Sequence, residues 1–188
     1  MSGRSSFGKA KGIILLFVKF LAFFPGFIKS LVYRASFFSE GTIGLLVRYA
    51  VNKSRCNKVG DACYFAAYTV LKNCSEISIG NYVSIHEFCY LDGSGGIAIG
   101  NNVSIAHGCS VITFDHGWEE SDIPIKYNKV INNNVNIEDD VWVGAGVRIL
   151  AGSYIESRTI VAAGAVVKGR LESGWVYGGV PARKLKKL

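Results

Sequence analysis

The sequence predicts an all-β fold, a parallel β-helix built from hexapeptide repeats, and three observations predict it. Aliphatic residues recur every six positions through much of residues 79–167. A small or β-branched residue follows most of them four positions later: Val83, Cys89, Val103, Cys109, Val141 and Val147 are examples. Glycine often comes directly after the aliphatic, as in "IGNYV", "IGNNV" and "VGAGV". A period of six matches neither a helix at 3.6 nor a simple strand alternation at 2. It fits a short flat strand followed by a turn. The aliphatic points into a narrow interior, the small residue fills the same interior near a corner, and glycine supplies turn positions with φ > 0. Three such units close one triangular coil of about eighteen residues, and coils stack.

Residues 1–58 precede the repeats. They carry ten Lys or Arg against a single acid, Glu40, whereas residues 59–188 carry eleven basic and thirteen acidic residues. The formal net charge of +7 therefore belongs to the N-terminal segment. No aromatic-basic recognition motif accompanies it, so a nucleic-acid partner is not expected. The stretch "GIILLFVKFLAFFPGFIKSLVYR" is rich in Phe and Leu, but Lys19 and Lys29 interrupt it and Pro25 breaks it. Its longest uncharged run, Phe20–Ile28, is far short of the roughly 20 residues needed to span a bilayer. It does not read as a cleavable secretory signal either. Lys11 and Lys19 fall on one side of a helix, so the segment reads as helical. Its apolar side is free either to lie on an anionic membrane face or to cover the rest of the protein.

The repeats begin at "VGDAC" (59–63), with Phe65 and Leu71 continuing them less regularly. Ile79, Ile85 and Leu91 form one series, and Ile99, Ile105 and Val111 a second. Ile131, Ile137, Val143, Ile149, Ile155, Val161 and Val167 form a third. Two breaks separate the series. "DGSGG" inserts two residues between Leu91 and Ile99, and the stretch after Val111 lacks the pattern until Ile131. Residues 112–130, which include "DHGWEESDIPIKYNK", read as a polar loop thrown out of the prism. The expected organisation is thus an N-terminal helical segment (1–58), a coil domain (59–170) and a basic tail (171–188).

The five cysteines are odd in number and contain no C-x-x-C pair, which argues against a disulfide framework and a structural zinc site. Cys63, Cys89 and Cys109 fall on the small interior position of their repeats. A reducing, cytoplasmic location is the expectation, with residues 1–58 at the inner face of the cell membrane.

At residues 59–188 the sequence resembles the hexapeptide-repeat acyltransferases with a left-handed parallel β-helix. The stretches "VITFDHG", "DDVWVGAGVRILAG", "VAAGAVV" and "GGVPARKLKK" resemble its galactoside and maltose O-acetyltransferase branch. The resemblance implies a homotrimer that uses acetyl-CoA as donor, without a metal, and acetylates a sugar or lipid-linked saccharide of the kind found in capsule, exopolysaccharide or O-antigen assembly. His116 aligns with the family's catalytic histidine. A neutral imidazole suits that role, because a sugar hydroxyl is too weak an acid to attack a thioester unaided. Asp115 and Glu119 are close enough in sequence to orient the ring. His86 stands where the galactoside branch carries asparagine, a departure that makes it a candidate acceptor-binding or oxyanion-stabilising group. Asp92, at the inserted corner, is a second acceptor candidate, while His107 reads as structural. Ala145 and Ala163 match positions that meet the pantetheine arm. Trp142 is expected to face outward as a groove wall, and Arg183 and Lys186 match cations near the CoA 3′-phosphate. Residues 1–58 have no counterpart in the galactoside enzymes, so no acceptor residue carries over there.

Other readings stay open on the residues alone: an N-acetyltransferase of an amino sugar, a drug-acetylating enzyme, and a non-catalytic assembly protein. A zinc lyase on the same prism needs three converging histidines. His86 and His107 occupy different repeat positions, which disfavours it.

Overall fold

In a computed structural model, which describes residues 12, 14–21 and 23–188, the repeats close into a parallel β-solenoid with three walls. The first wall stacks strands from Lys58–Val59 to Arg170–Leu171, the second from Tyr64–Phe65 to Trp175–Gly178, and the third from Val70–Lys72 to Val166–Val167. Every contact between neighbouring coils in a wall is parallel, as in Ile77↔Ile97 and Ser104↔Trp142. The residues of the six-residue series line the interior: Ile85, Leu91, Ile105, Val111, Val143, Ile149, Ile155, Val161 and Val167 are all fully buried. The small positions behave as expected. Cys63, Cys89 and Cys109 are buried, and their thiols donate at 3.1 Å to the carbonyls of Gly80, Ala106 and Gly144 in the next coil. Burial pushes the Cys63 thiol up, away from the reactive thiolate.

One corner shows why asparagine follows glycine in "IGN". The Asn101 carboxamide oxygen accepts the Asn81 backbone N–H at 2.9 Å, and Asp139 Oδ1 accepts the Asn101 N–H at 2.7 Å. Asn81 Oδ1 in turn takes the Asp61 N–H at 2.8 Å. Side-chain oxygens thus satisfy corner N–H groups that the short strands leave unpaired. Gly80 precedes this ladder because a Cβ there would lie 2.6 Å from the Gly100 carbonyl oxygen.

A stack of coils exposes an unpaired strand edge at each end, and both ends are covered here. Three helices lie at the start: residues 14–21 (α1), Gly26–Ala35 (α2) and Thr42–Arg55 (α3). Pro25 separates the first two, as its sequence position indicated. The buried Arg48 of α3 donates to the carbonyls of Phe65 (2.8 Å), Ser36 (2.6 Å) and Ser39 (2.7 Å), pinning the first coil to the helices. Tyr49 donates to Gly60 O at 2.9 Å and Lys53 to Val59 O at 2.9 Å, so α3 supplies donors to the open end of the prism. At the far end Arg183–Lys187 folds back antiparallel on Trp175–Gly178.

Three boundaries differ from the sequence reading. Leu171 is buried in the first wall and Trp175–Gly178 closes the second, so the coils run past 170 and the tail is a capping strand. The excursion comprises residues 113–134 rather than 112–130. Ile112 still pairs with Asp92, and Val135 is the first residue to rejoin a wall. Ile131 shares the six-residue phase but is exposed and pairs with Asp115, so the third series starts at Ile137. Lys11 lies outside the described residues.

Candidate functional site

Corners position the site, because side chains there leave the prism with little packing of their own. The corner between the second and third walls has equivalent residues in successive coils: Ala66, His86, Ala106, Gly144 and Ala162. Backbone N–H groups link it from coil to coil, with His86 donating to Ile105 O at 3.0 Å and Gly144 to Val161 O at 2.7 Å. Glu87, His107, Ala145 and Ala163 occupy the next step of the same ladder. The following residues, Gly108, Gly146 and Gly164, have φ near +70° (69, 70 and 71°) and add no side chain to this edge. The result is a smooth, backbone-rich edge through Gly144–Gly146 and Ala162–Gly164, with His107 and His86 on the coils above it.

Trp142 stands outward on the second wall and is exposed, as its place before a core aliphatic implied. It pairs with Ile160, which pairs with Val176, which pairs with Lys186. Paired residues in neighbouring strands share a face. Lys186 therefore projects from the wall face that carries Trp142, and Arg183, opposite Gly178, does the same. Lys184 faces the other way, lying 4.8 Å from the Trp175 ring and 2.7 Å from Glu172 Oε2. The tail thus divides its cations. Lys184 seals the end of the prism, and Arg183 and Lys186 stay on the outer face.

His86 is partly exposed, with its ring 5.5 Å from that of Tyr64 and Nδ1 3.8 Å from Glu87 Oε2. His116 lies elsewhere. The chain leaves the prism after Ser110–Ile112 of the third wall and forms a hairpin, Phe114–His116 against Val130–Asn132. That exit is the corner between the third and first walls, one corner away from His86, Ala145 and Ala163. A single chain does not bring His116 to the smooth edge. Among the described residues the imidazole has no hydrogen-bond partner; its ring stands edge-on to Phe114 at 6.3 Å. Neither expected orienting group serves. Asp115 points to the opposite face of the hairpin, and Glu119 Oε2 accepts the Trp118 N–H at 2.9 Å.

Asp92 is a correction. It is buried at the "DGSGG" corner, where Oδ1 accepts from Asn73 Nδ2 (2.8 Å), Ser94 Oγ (2.7 Å) and Ser94 N–H (3.2 Å), and Oδ2 accepts from Tyr90 at 3.1 Å. With both oxygens engaged inside the corner, it is a structural clamp and not an acceptor ligand. Its carbonyl accepts the Thr113 hydroxyl, so it holds the root of the hairpin that carries His116. Sequence reasoning missed Thr113 and Asn73. The available signal was that both register breaks fall after a third-wall strand.

A family model described as bacterial transferase hexapeptide (six repeats) matches residues 134–169. Over these coils the chain is similar to the hexapeptide-repeat transferases. A hexapeptide-repeat acetyltransferase of Vibrio cholerae, solved in complex with acetyl coenzyme A, superposes with a TM-score of 0.76 at 26% identity over 85% of each chain. The lipopolysaccharide biosynthesis O-acetyl transferase WbbJ of Escherichia coli is 28% identical over 59% of this chain and 60% of its own. Gamma carbonic anhydrase 2 of Arabidopsis thaliana is 32% identical over 60% of this chain and 44% of its own. The chain spans 31% to 60% of the length of four curated relatives, these two among them. His86 and His107 stand on successive steps of one corner, and His116 on a hairpin from another.

Proposed function

We propose that the protein is an acetyltransferase that moves an acetyl group from acetyl-CoA to a sugar hydroxyl during assembly of a surface polysaccharide. The observation that carries this is the smooth edge through Ala145 and Ala163, flanked by Trp142 and ending on the face that holds Arg183 and Lys186. An elongated donor with a phosphorylated nucleotide end suits it. The pantetheine arm needs close backbone approach, an indole covers an apolar stretch, and free cations meet phosphate. The acetyl-CoA complex of the Vibrio relative and the name of the E. coli relative support the donor and the acceptor class.

His116 acts as the general base in this reading. It takes the proton of the acceptor hydroxyl as the oxygen attacks the thioester carbonyl, and returns a proton to the departing thiolate. The hairpin leaves at a different corner from the smooth edge, so this reading sets the hairpin of one copy against the edge of another; the resemblance to the galactoside and maltose enzymes implies that this assembly is a homotrimer. The exposed apolar residues of the excursion, Trp118, Ile125 and Tyr127, supply contact surface for that docking. His86, beside the edge, is the acceptor-side group.

The test is acetyl-CoA turnover against sugars, nucleotide sugars, lipid-linked oligosaccharides and amines. His116→Ala is expected to lower transfer by about 10²–10⁴-fold and leave assembly intact. Wild-type transfer by that variant refutes the role of His116. Preferential acetylation of an amine replaces the hydroxyl reading with an N-acetyltransferase, and stoichiometric zinc required for activity replaces acyl transfer altogether.

A further inference from the structure

We propose that residues 16–38 form a membrane-docking face that seats the protein on a bilayer bearing anionic headgroups. Helices α1 and α2 both pack one side against α3, where Leu21 and Tyr33 share a buried cluster with Ala50 and Val51. Their other sides turn away from α3. On α1 that side carries Leu16 (71% exposed) and Phe20 (56%), followed by Phe23 (88%) in the turn before Pro25. On α2 it carries Phe27 (73%) and Leu31 (66%), and Phe38 (73%) continues the stripe beyond the helix. Six large apolar side chains held in water are costly.

Charge identifies the occupant. Lys19 and Arg34 are exposed within the stripe, spaced to share a helix face with Leu16 on α1 and with Phe27 and Leu31 on α2. No acid occurs between residues 12 and 38. A second copy meeting this surface through itself would set Lys19 and Arg34 against their own like charges, whereas an anionic headgroup layer neutralises them. No helix among the described residues is long and apolar enough to cross a membrane. Two short helices joined at a proline, with apolar side chains and interleaved cations on their free sides, fit the interfacial plane.

The face also leads to the acceptor side of the prism. The Phe38 ring is 5.7 Å from Tyr68, and Tyr68 stacks on Phe88 at 4.9 Å and 11°. Phe88 stands on the same corner as His86, two residues on. The apolar surface is therefore continuous from the helices to that corner. If the acetyl-transfer reading holds, the bilayer would deliver the saccharide of a lipid-linked acceptor there.

The test is co-sedimentation of the full chain, without acetyl-CoA, with vesicles of phosphatidylcholine alone or mixed with phosphatidylglycerol. Binding is expected to the mixed vesicles and to be much weaker to phosphatidylcholine. Phe27→Glu with Leu31→Glu should weaken it by about tenfold or more. Lys19→Gln and Arg34→Gln should weaken it about fivefold each. Circular dichroism and the oligomeric state verify that these exposed positions leave the fold intact. Wild-type indifference to mixed vesicles, or variants that bind as well as wild type, overturns the proposal. A variant that changes the oligomeric state of a protein ignoring vesicles assigns the stripe to subunit contact instead. Binding is read independently of turnover, so failure of the catalytic reading does not decide this one.

Discussion

The Thr113 hydroxyl donates to the Asp92 carbonyl at 2.7 Å and accepts the Gly95 N–H at 2.7 Å. Thr113 roots the hairpin that carries His116, and Asp92 opens the "DGSGG" insertion, so the two breaks in the repeat are stacked and bonded on one corner. Gly95 permits the stacking, since a Cβ there would lie 2.3 Å from Thr113 O. The small insertion makes room for the root of the large one.

Thr113→Val tests that linkage. Valine keeps the shape but leaves the half-buried Gly95 N–H without its acceptor and the Asp92 carbonyl without its donor, at a cost of about 1 kcal/mol or more. Thermal or denaturant unfolding should show the loss. If the hairpin delivers His116, kcat should also fall while KM for acetyl-CoA changes little. An unchanged melting temperature would mean that the corner is held by other contacts.

Asp92→Asn separates a clamp from an acceptor ligand. Burial in the corner acts to raise the Asp92 pKa, but hydrogen bonds from Ser94, Asn73 and Tyr90 outweigh it and hold the carboxyl below the usual carboxylate range. A depressed folded-state pKa contributes stability that is present above the unfolded value, about 3.9, and is lost as pH falls through the folded value. The variant should be less stable than wild type at pH 7 by on the order of 1 kcal/mol, and the gap should close as pH drops below about 4. Acceptor KM should stay near wild type; a large rise in KM without loss of stability would restore Asp92 to acceptor binding.

The coil architecture was legible because the interior of the prism is narrow. Each wall strand offers it only one or two side chains, so Ile85, Leu91 and Ile105 had to recur at a fixed spacing, and Cys89 and Cys109 had to be small. Where chain leaves the prism that constraint lapses, and the pattern misled. Ile131 keeps the six-residue phase yet pairs with Asp115 in an exposed hairpin. Asp92 looked available because a polar residue at a corner carries no periodicity to say whether it faces solvent or its neighbours. Its partner Asn73 lies nineteen residues away, in the preceding coil. The outward placement of Trp142 followed from its neighbour Val143, but the shared face of Trp142 and Lys186 depends on the tail folding back, which the repeat does not encode.

Gly80→Ala tests one of the tight contacts between coils. The added Cβ would meet the Gly100 carbonyl oxygen at 2.6 Å and the Asn101 carboxamide oxygen at 2.8 Å. Backbone in two coils would have to separate, disturbing the asparagine ladder. A destabilisation of about 1–3 kcal/mol is expected by denaturant unfolding. The same substitution at Gly12, which has nothing within 4 Å, is the control and should be close to neutral.

Arg183 and Lys186 carry the last prediction. Both project from the outer face of the second wall, and no carboxylate among the described residues lies within ion-pair distance of either, in contrast to Lys184 at 2.7 Å from Glu172. If they meet the donor's 3′-phosphate, Arg183→Ala with Lys186→Ala should raise KM for acetyl-CoA by about tenfold or more and leave kcat near wild type, because the contact is remote from the reacting carbonyl and equal in ground and transition states. The defect should shrink with acetyl-dephospho-CoA, which lacks that phosphate. A structural tail would behave differently: the double variant would lose melting temperature and handle both donors equally badly. Lys184→Ala is the matched control, expected to lower stability through its lost contacts with Glu172 and the Trp175 ring while leaving the preference between the two donors unchanged.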